Sequence, residues 1–210
     1  MTENKKVYLY IAANLALLMP VPGRFAYAII LLVLFNIQTA VVTLLFHAIH
    51  HMKISNMQNA LLSLTIIALG IFYKQILVII CPIAALTLGF CIFLPTLASV
   101  IIEFFFLDYE HGVKGHLITN MRNASFMTIF ALFFFLIRDV FGYGTLTLPA
   151  FRRILVIHLP YNPDTASASV FLATIPGSLG LVAVLLLIYI FCVKKFRIVL
   201  NAPKISEEDE

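Results

Sequence analysis

The sequence predicts an all-α integral membrane protein: six transmembrane helices in two inverted three-helix repeats, with helices one and four broken. Three observations predict it. Of the 210 residues, 62% are hydrophobic and only 11% charged, against about a quarter charged in a soluble domain. Apolar runs near the roughly 20 residues that a bilayer-spanning helix needs recur along the whole chain. Prolines interrupt the first and fourth of those runs, which hold corresponding places in the two halves. The formal charge of +4 comes from scattered basic residues with no aromatic-interleaved basic patch, so nucleic acid is not an expected partner and membrane lipid is.

Residues 7–19 form the first, short segment, ending at Pro20-Val21-Pro22-Gly23. Lys5 and Lys6 ahead of it, and Ala26-Tyr27-Ala28 behind it, imitate a secretory signal. That triplet lies inside the next apolar run, however, so the segment is expected to be retained. The second segment is residues 25–46, the third 60–80 and the fourth 84–106, which carries Pro95 in "CIFLPTLASV". The fifth is 126–137, extended backward through "TNMRNAS", and the sixth is 170–191. At membrane depth each backbone polar group needs an internal partner, so these runs are helices. Runs such as "AIILLVLF" and "VAVLLLIYIF" lack the alternation of barrel strands. The whole of 1–202 is one membrane domain, with halves at about 7–80 and 84–191, and 203–210 is an acidic tail. Residues 138–169 form the longest loop, where "AFRRILVIHLPYNP" sets paired arginines beside an apolar stretch. That pattern suits a segment lying in the headgroup plane.

Six crossings place both termini on one side. That side would hold Lys5, Lys6, Lys53, Lys114, Arg122, Lys194, Lys195, Arg197 and Lys204, and the other Arg24, Lys74, Arg138, Arg152 and Arg153. Nine basic residues against five predict cytoplasmic termini. Proline removes a backbone donor and crowds the preceding turn. Pro20, Pro22, Gly23 and Pro95 are therefore the candidate helix breaks, and a break survives in lipid only where protein or a cavity surrounds it. Paired breaks in inverted halves point to a central site; equally, Pro20 to Gly23 can be a first loop and Pro95 a packing kink.

His47, His50 and His51 in "HAIHH" share a helix face, but His111, His116 and His158 form no second box. The cluster reads as a polar helix end, and no metal site is expected. Cys81, Cys91 and Cys192 have no metal or disulfide spacing and read as free thiols. Glu103 follows "ASVII". A carboxylate in a span is a functional candidate, and one near a loop can equally reach water. Arg138 and Asp139 close the fifth run. A charge at mid-bilayer costs on the order of 2.5–3.5 kcal/mol on insertion scales, so an ion pair at the end of a span is an edge with internal pairing. No catalytic residue is expected.

The stretch "RDVFGYGTL", residues 138–146, resembles R-[DE]-x-x-G-x-G-[TK]-L of the Rnf/Nqr membrane-subunit family, on the RnfE and NqrD side. Asn14 with "LALL" resembles the start of that family's first helix, "TLGFCIFLPTLASVI" its broken fourth helix, and "LATIPGSLGLVAVLLL" its last span with Pro176 and Gly177 at the entry. The resemblance implies a bacterial inner-membrane subunit with cytoplasmic termini, packed against an oppositely inserted sister subunit. It implies other Rnf/Nqr-type partners whose flavins and iron–sulfur centres couple electron transfer to sodium or proton translocation. Family members place a cluster cysteine in each broken helix, because such clusters are held by thiolates. Here no cysteine precedes Cys81, and Ser99 stands near the fourth-helix ligand position. The chain is therefore expected to bind no cluster directly, the cofactors belonging to its partners. In this reading Glu103, Arg138, Asp139, Gly142 and Gly144 are ion-path or structural candidates. A small transporter or channel-like module without a redox role is the alternative, and a histidine-box metal enzyme ranks behind both.

Overall fold

The computed structural model describes residues 14–16, 18–51, 57–97, 113–160 and 171–201. Its described part is mostly helix. Helical residues 14–16 and 18 are followed by an interruption at 19–24. Then come α1 (Phe25–His51), α2 (Gln58–Ile80) and α3 (Pro82–Leu88), a 3-10 turn at Gly89–Phe93 and helical residues 94–97. The chain continues through α4 (Val113–Ile137), a π-helical turn (Arg138–Gly142), strands β1 (Thr145–Ala150) and β2 (Arg153–His158), and α5 (Ile175–Asn201).

Three helices are long and apolar enough to cross a membrane, over Phe25–Ile49, Gln58–Ile80 and Leu117–Gly142; Pro82–Leu97 and Ile175–Phe191 are shorter apolar helices. Each coincides with one of the apolar runs. The first run lies mostly outside the described residues.

Side-chain ties set the directions. Tyr73 Oη donates to the Ile30 carbonyl at 2.7 Å and Gln38 Nε2 to the Ile66 carbonyl at 3.3 Å. The partner number falls as the α1 number rises, so α1 and α2 are antiparallel. Asn36 Nδ2 donates to Thr128 Oγ1 and Asn120 Nδ2 to Thr43 Oγ1, which makes α1 and α4 antiparallel too. Phe130 and Tyr189 meet edge to face at 5.1 Å, while Arg138 reaches Ala173; α5 therefore runs antiparallel to α4. The start of α1, the end of α2 and the end of α4 share one end of the bundle. Arg24, Lys74, Arg138, Arg152 and Arg153 cluster toward it, and Lys114 and Arg122 belong to the opposite part of α4.

α1 is the central helix. More than half of its apolar window is buried (56%), against 17% for α2. Leu31, Leu34 and Phe35 of α1 pack with Leu88, Ile92, Ala131, Phe134 and Phe135 in the main core. Leu64, Phe72 and Ile79 of α2 face outward, as expected of a helix whose solvent is lipid. Buried polar side chains on α1 are matched one by one. Thr39 and Thr43 donate to carbonyls four residues back, and Gln38 donates to Thr96 Oγ1 at 2.9 Å. Gly70 lets that pair form, since a Cβ there would stand 2.7 Å from Thr96 Oγ1.

The interruptions have local causes. α2 ends at Ile80 because Pro82 disfavours helical geometry in Cys81, which has φ −146° and ψ 84°. Pro82 then opens α3 at the position where its missing N–H costs nothing. In the fourth run the helix gives way at Gly89, whose φ is +47°, rather than at Pro95. Pro95 sits in the first turn of the helical residues that resume at 94. Within the loop after α4, residues 145–158 form an antiparallel hairpin, with Ala150 opposite Arg153 and Thr145 opposite His158.

Candidate functional site

The residues that carry the clearest sequence signal converge at the end of α4. Arg138 and Asp139 begin the π-helical turn, and both are buried, at 1% and 0% exposure. Side chains of adjacent residues on a helical turn point in different directions, and these two reach opposite kinds of partner.

Arg138 collects carbonyl oxygens. Its Nη1 donates to the Val21 carbonyl at 3.1 Å and to the Met19 carbonyl at 3.5 Å, and its Nη2 donates to the Ala173 carbonyl at 3.1 Å. The rings of Phe134 and Phe135 lie 5.5 and 5.7 Å from its Cζ, within cation–π range. Nε has no acceptor among the described residues. It lies against Gly23, where a Cβ would come within 2.9 Å of it. Glycine at 23 is what lets the guanidinium lie on the backbone of the interruption.

Asp139 collects N–H and O–H donors. Its Oδ2 accepts from Phe25 N at 3.1 Å, Thr147 N at 2.7 Å and Thr147 Oγ1 at 2.6 Å, and its Oδ1 accepts from Thr145 Oγ1 at 2.9 Å. Thr147 Oγ1 in turn accepts from Ala26 N at 3.1 Å. The amides of a helix's first turn have no intrahelical acceptor. Here Asp139 and Thr147 take the first two of α1, and a carboxylate suits the positive end of the helix dipole.

The pair is therefore a clamp across the interrupted chain. Its cation holds the Met19 and Val21 carbonyls of the interruption, and its anion, together with Thr147, holds the amides left free where α1 starts. Tightened turns do the rest: Val21 N donates to the Leu18 carbonyl at 3.2 Å and Arg24 N to the Pro22 carbonyl at 2.8 Å. Pro20 and Pro22 contribute no amide hydrogen, so two fewer donors need partners.

The two glycines of the motif serve different needs. Gly144 has φ +63°, a conformation L side chains resist. Gly142 instead makes room, because a Cβ there would lie 3.1–3.2 Å from the backbone and Cβ of Ala173. Gly177 is equally restricted by space, since a side chain would run into the Phe171 carbonyl. Thr174 Oγ1 accepts from Gly177 N at 3.3 Å and caps α5.

The second interruption lies beside the first: Cys91 Sγ approaches the Pro20 carbonyl at 4.0 Å. Cys81 is buried and Cys91 half-buried, and both are free thiols. Glu103 and Ser99 lie outside the described residues, as do the side chains of His50 and Cys192. His47 packs edge to face on Phe46 at 5.5 Å, and His51 is exposed. Among the described residues no three His, Cys, Asp or Glu side chains are grouped to hold a metal ion. Thr145 and Thr147 were not singled out from the sequence. Their signal was the period of two in "TLTL", which puts both hydroxyls on one face of a strand.

No family model matches the chain, nor does any curated protein or solved structure.

Proposed function

We propose that this chain is a membrane subunit of an Rnf/Nqr-type complex that couples electron transfer to sodium or proton translocation, acting as a scaffold without an iron–sulfur cluster of its own. One observation supports the reading above others. Two of the stretches on which the resemblance rests meet each other beside the first interruption. Arg138 of "RDVFGYGTL" bonds Met19 and Val21 at the first interruption and Ala173 in "LATIPG". Gly142 of the same stretch packs on Ala173. The contact of Cys91 with Pro20 adds the broken fourth run to the same neighbourhood.

In this reading six crossings form two inverted halves in a bacterial inner membrane, with both termini cytoplasmic. The clamp holds the opening helix in its interrupted form. The oppositely inserted sister subunit packs on the bundle, and flavin and iron–sulfur centres reside in the other subunits. Glu103 is a candidate for the ion path.

A transporter or channel-like module is the second reading. It draws on the two adjacent interruptions and on the buried Gln38–Thr96 pair near the middle of α1, since discontinuous helices build substrate sites at mid-membrane. Gentle detergent purification of the tagged chain from its native membrane, with mass spectrometry of what accompanies it, separates the two. Stoichiometric flavin-binding and NADH- or ferredoxin-oxidising subunits are expected. A stable homo-oligomer with no redox subunit would overturn the pump reading.

A further inference from the structure

We infer that the β1–β2 hairpin is a phospholipid-binding element, seated in the headgroup layer with its arginine tip on anionic lipid. The inference does not rest on the functional reading above.

Position comes first. Thr147 of β1 holds Ala26, in the first turn of α1, and Arg152 N donates to the carbonyl of Ile80, the last residue of α2, at 2.9 Å. Phe25–Ile49 and Gln58–Ile80 are two of the membrane-length helices. The hairpin therefore lies across the bundle end at the level where both spans terminate, which is where hydrocarbon gives way to headgroups.

Exposure comes second. β1 is partly covered by the bundle, whereas β2 is exposed at every residue but Ile154. Leu155, Val156 and Ile157 are successive, so apolar side chains stand out on both faces of β2, and Phe151 at the tip is 70% exposed. Water is a poor solvent for that surface.

The strand's backbone excludes pure hydrocarbon. Leu159 N bonds the Gly144 carbonyl and Thr147 N turns to Asp139. With the register of the hairpin, this sends the N–H and C=O groups of Ile154 and Val156 away from β1. An open strand edge is not stable in lipid tails. The headgroup layer satisfies both demands, taking apolar side chains inward and meeting polar backbone with water and phosphate.

Charge then selects the lipid. Arg152 and Arg153 are exposed at the tip. Arg152 adopts φ +62°, with its guanidinium 5.4 Å over the Phe151 ring. Planar guanidinium groups pair with phosphate oxygens.

The chain has no tryptophan, so Phe151→Trp in the full-length protein supplies one fluorescent reporter. In vesicles of phosphatidylcholine and phosphatidylglycerol, bromine placed on the acyl chain close to the headgroup should quench it more than bromine near the chain end. Brominated phosphatidylglycerol should be preferred over brominated phosphatidylcholine. Adding Arg152→Gln and Arg153→Gln should reduce that preference by about tenfold, while Arg152→Lys with Arg153→Lys should retain most of it. Absence of quenching by either lipid would overturn the inference, placing the tip in water or against protein. So would quenching with no headgroup preference, or a preference untouched by the glutamine changes.

Discussion

Asp139 takes four donors on two oxygens, in a site with no exposure. Removing its charge alone should weaken every one of those bonds. Asp139→Asn is expected to destabilise the protein by about 1–3 kcal/mol, read as a lowered unfolding temperature in nanodiscs. Arg138→Lys keeps a positive charge but loses the fork that reaches Val21 and Ala173 together. It should cost a similar amount, and an unchanged unfolding temperature would mean that the fork is unnecessary. Gly142→Ala should destabilise by about 1–3 kcal/mol through overpacking against Ala173, measured in the same way. Arg138 and Asp139 stood out in the sequence because adjacent charges at the end of so apolar a run need a reason. Their partners did not stand out. Met19, Val21 and Phe25 lie more than a hundred positions away, and their contributing atoms are backbone, which carries no residue signature.

At the scale of elements, α1 and α4 are joined by paired amide and hydroxyl groups, Asn36 with Thr128 and Thr43 with Asn120. Lipid tails are as apolar as leucine, so helix association in a membrane draws on such bonds and on close packing. A double-mutant cycle with Asn36→Leu and Thr128→Val should give a coupling of about 0.6 kcal/mol, the average for interhelical bonds of this kind. A coupling of zero would make the α1–α4 contact a matter of packing alone. Helix positions were legible from the apolar runs, because burial in protein and exposure to lipid both call for apolar residues. For the same reason the runs did not reveal which helix is central: α1 and α2 read alike, yet their burial differs widely. The hairpin was hidden by the expectation that membrane segments are helical. Its marks were present in alternating Thr145 and Thr147 and in the β-branched run of β2, Ile154, Val156 and Ile157. In the fourth run Pro95 is the more conspicuous residue, while Gly89 is the one whose backbone turns.

For the whole molecule, the antiparallel order of α1, α2 and α4 puts residues 24, 138 and 152 together at one end and the start of α4 at the other. The proposed orientation, with both termini cytoplasmic, puts the hairpin outside. In a background where Cys81, Cys91 and Cys192 are serine, a cysteine introduced at exposed Arg153 should react with a membrane-impermeant thiol reagent applied to intact cells. A cysteine at exposed Lys114 should not, and the reverse pattern would invert the topology. The fold rests most heavily on the clamp that bridges the interruption before α1. Hydrogen–deuterium exchange at Phe25 and Ala26 tests it most directly, because first-turn amides otherwise have no acceptor and exchange freely. In the native protein these two amides should be strongly protected, and in Asp139→Ala that of Phe25 should exchange at least about tenfold faster while amides deep in α1 stay unchanged. Rapid exchange at both positions in the native protein, or protection of Phe25 that survives the loss of Asp139, would contradict the account.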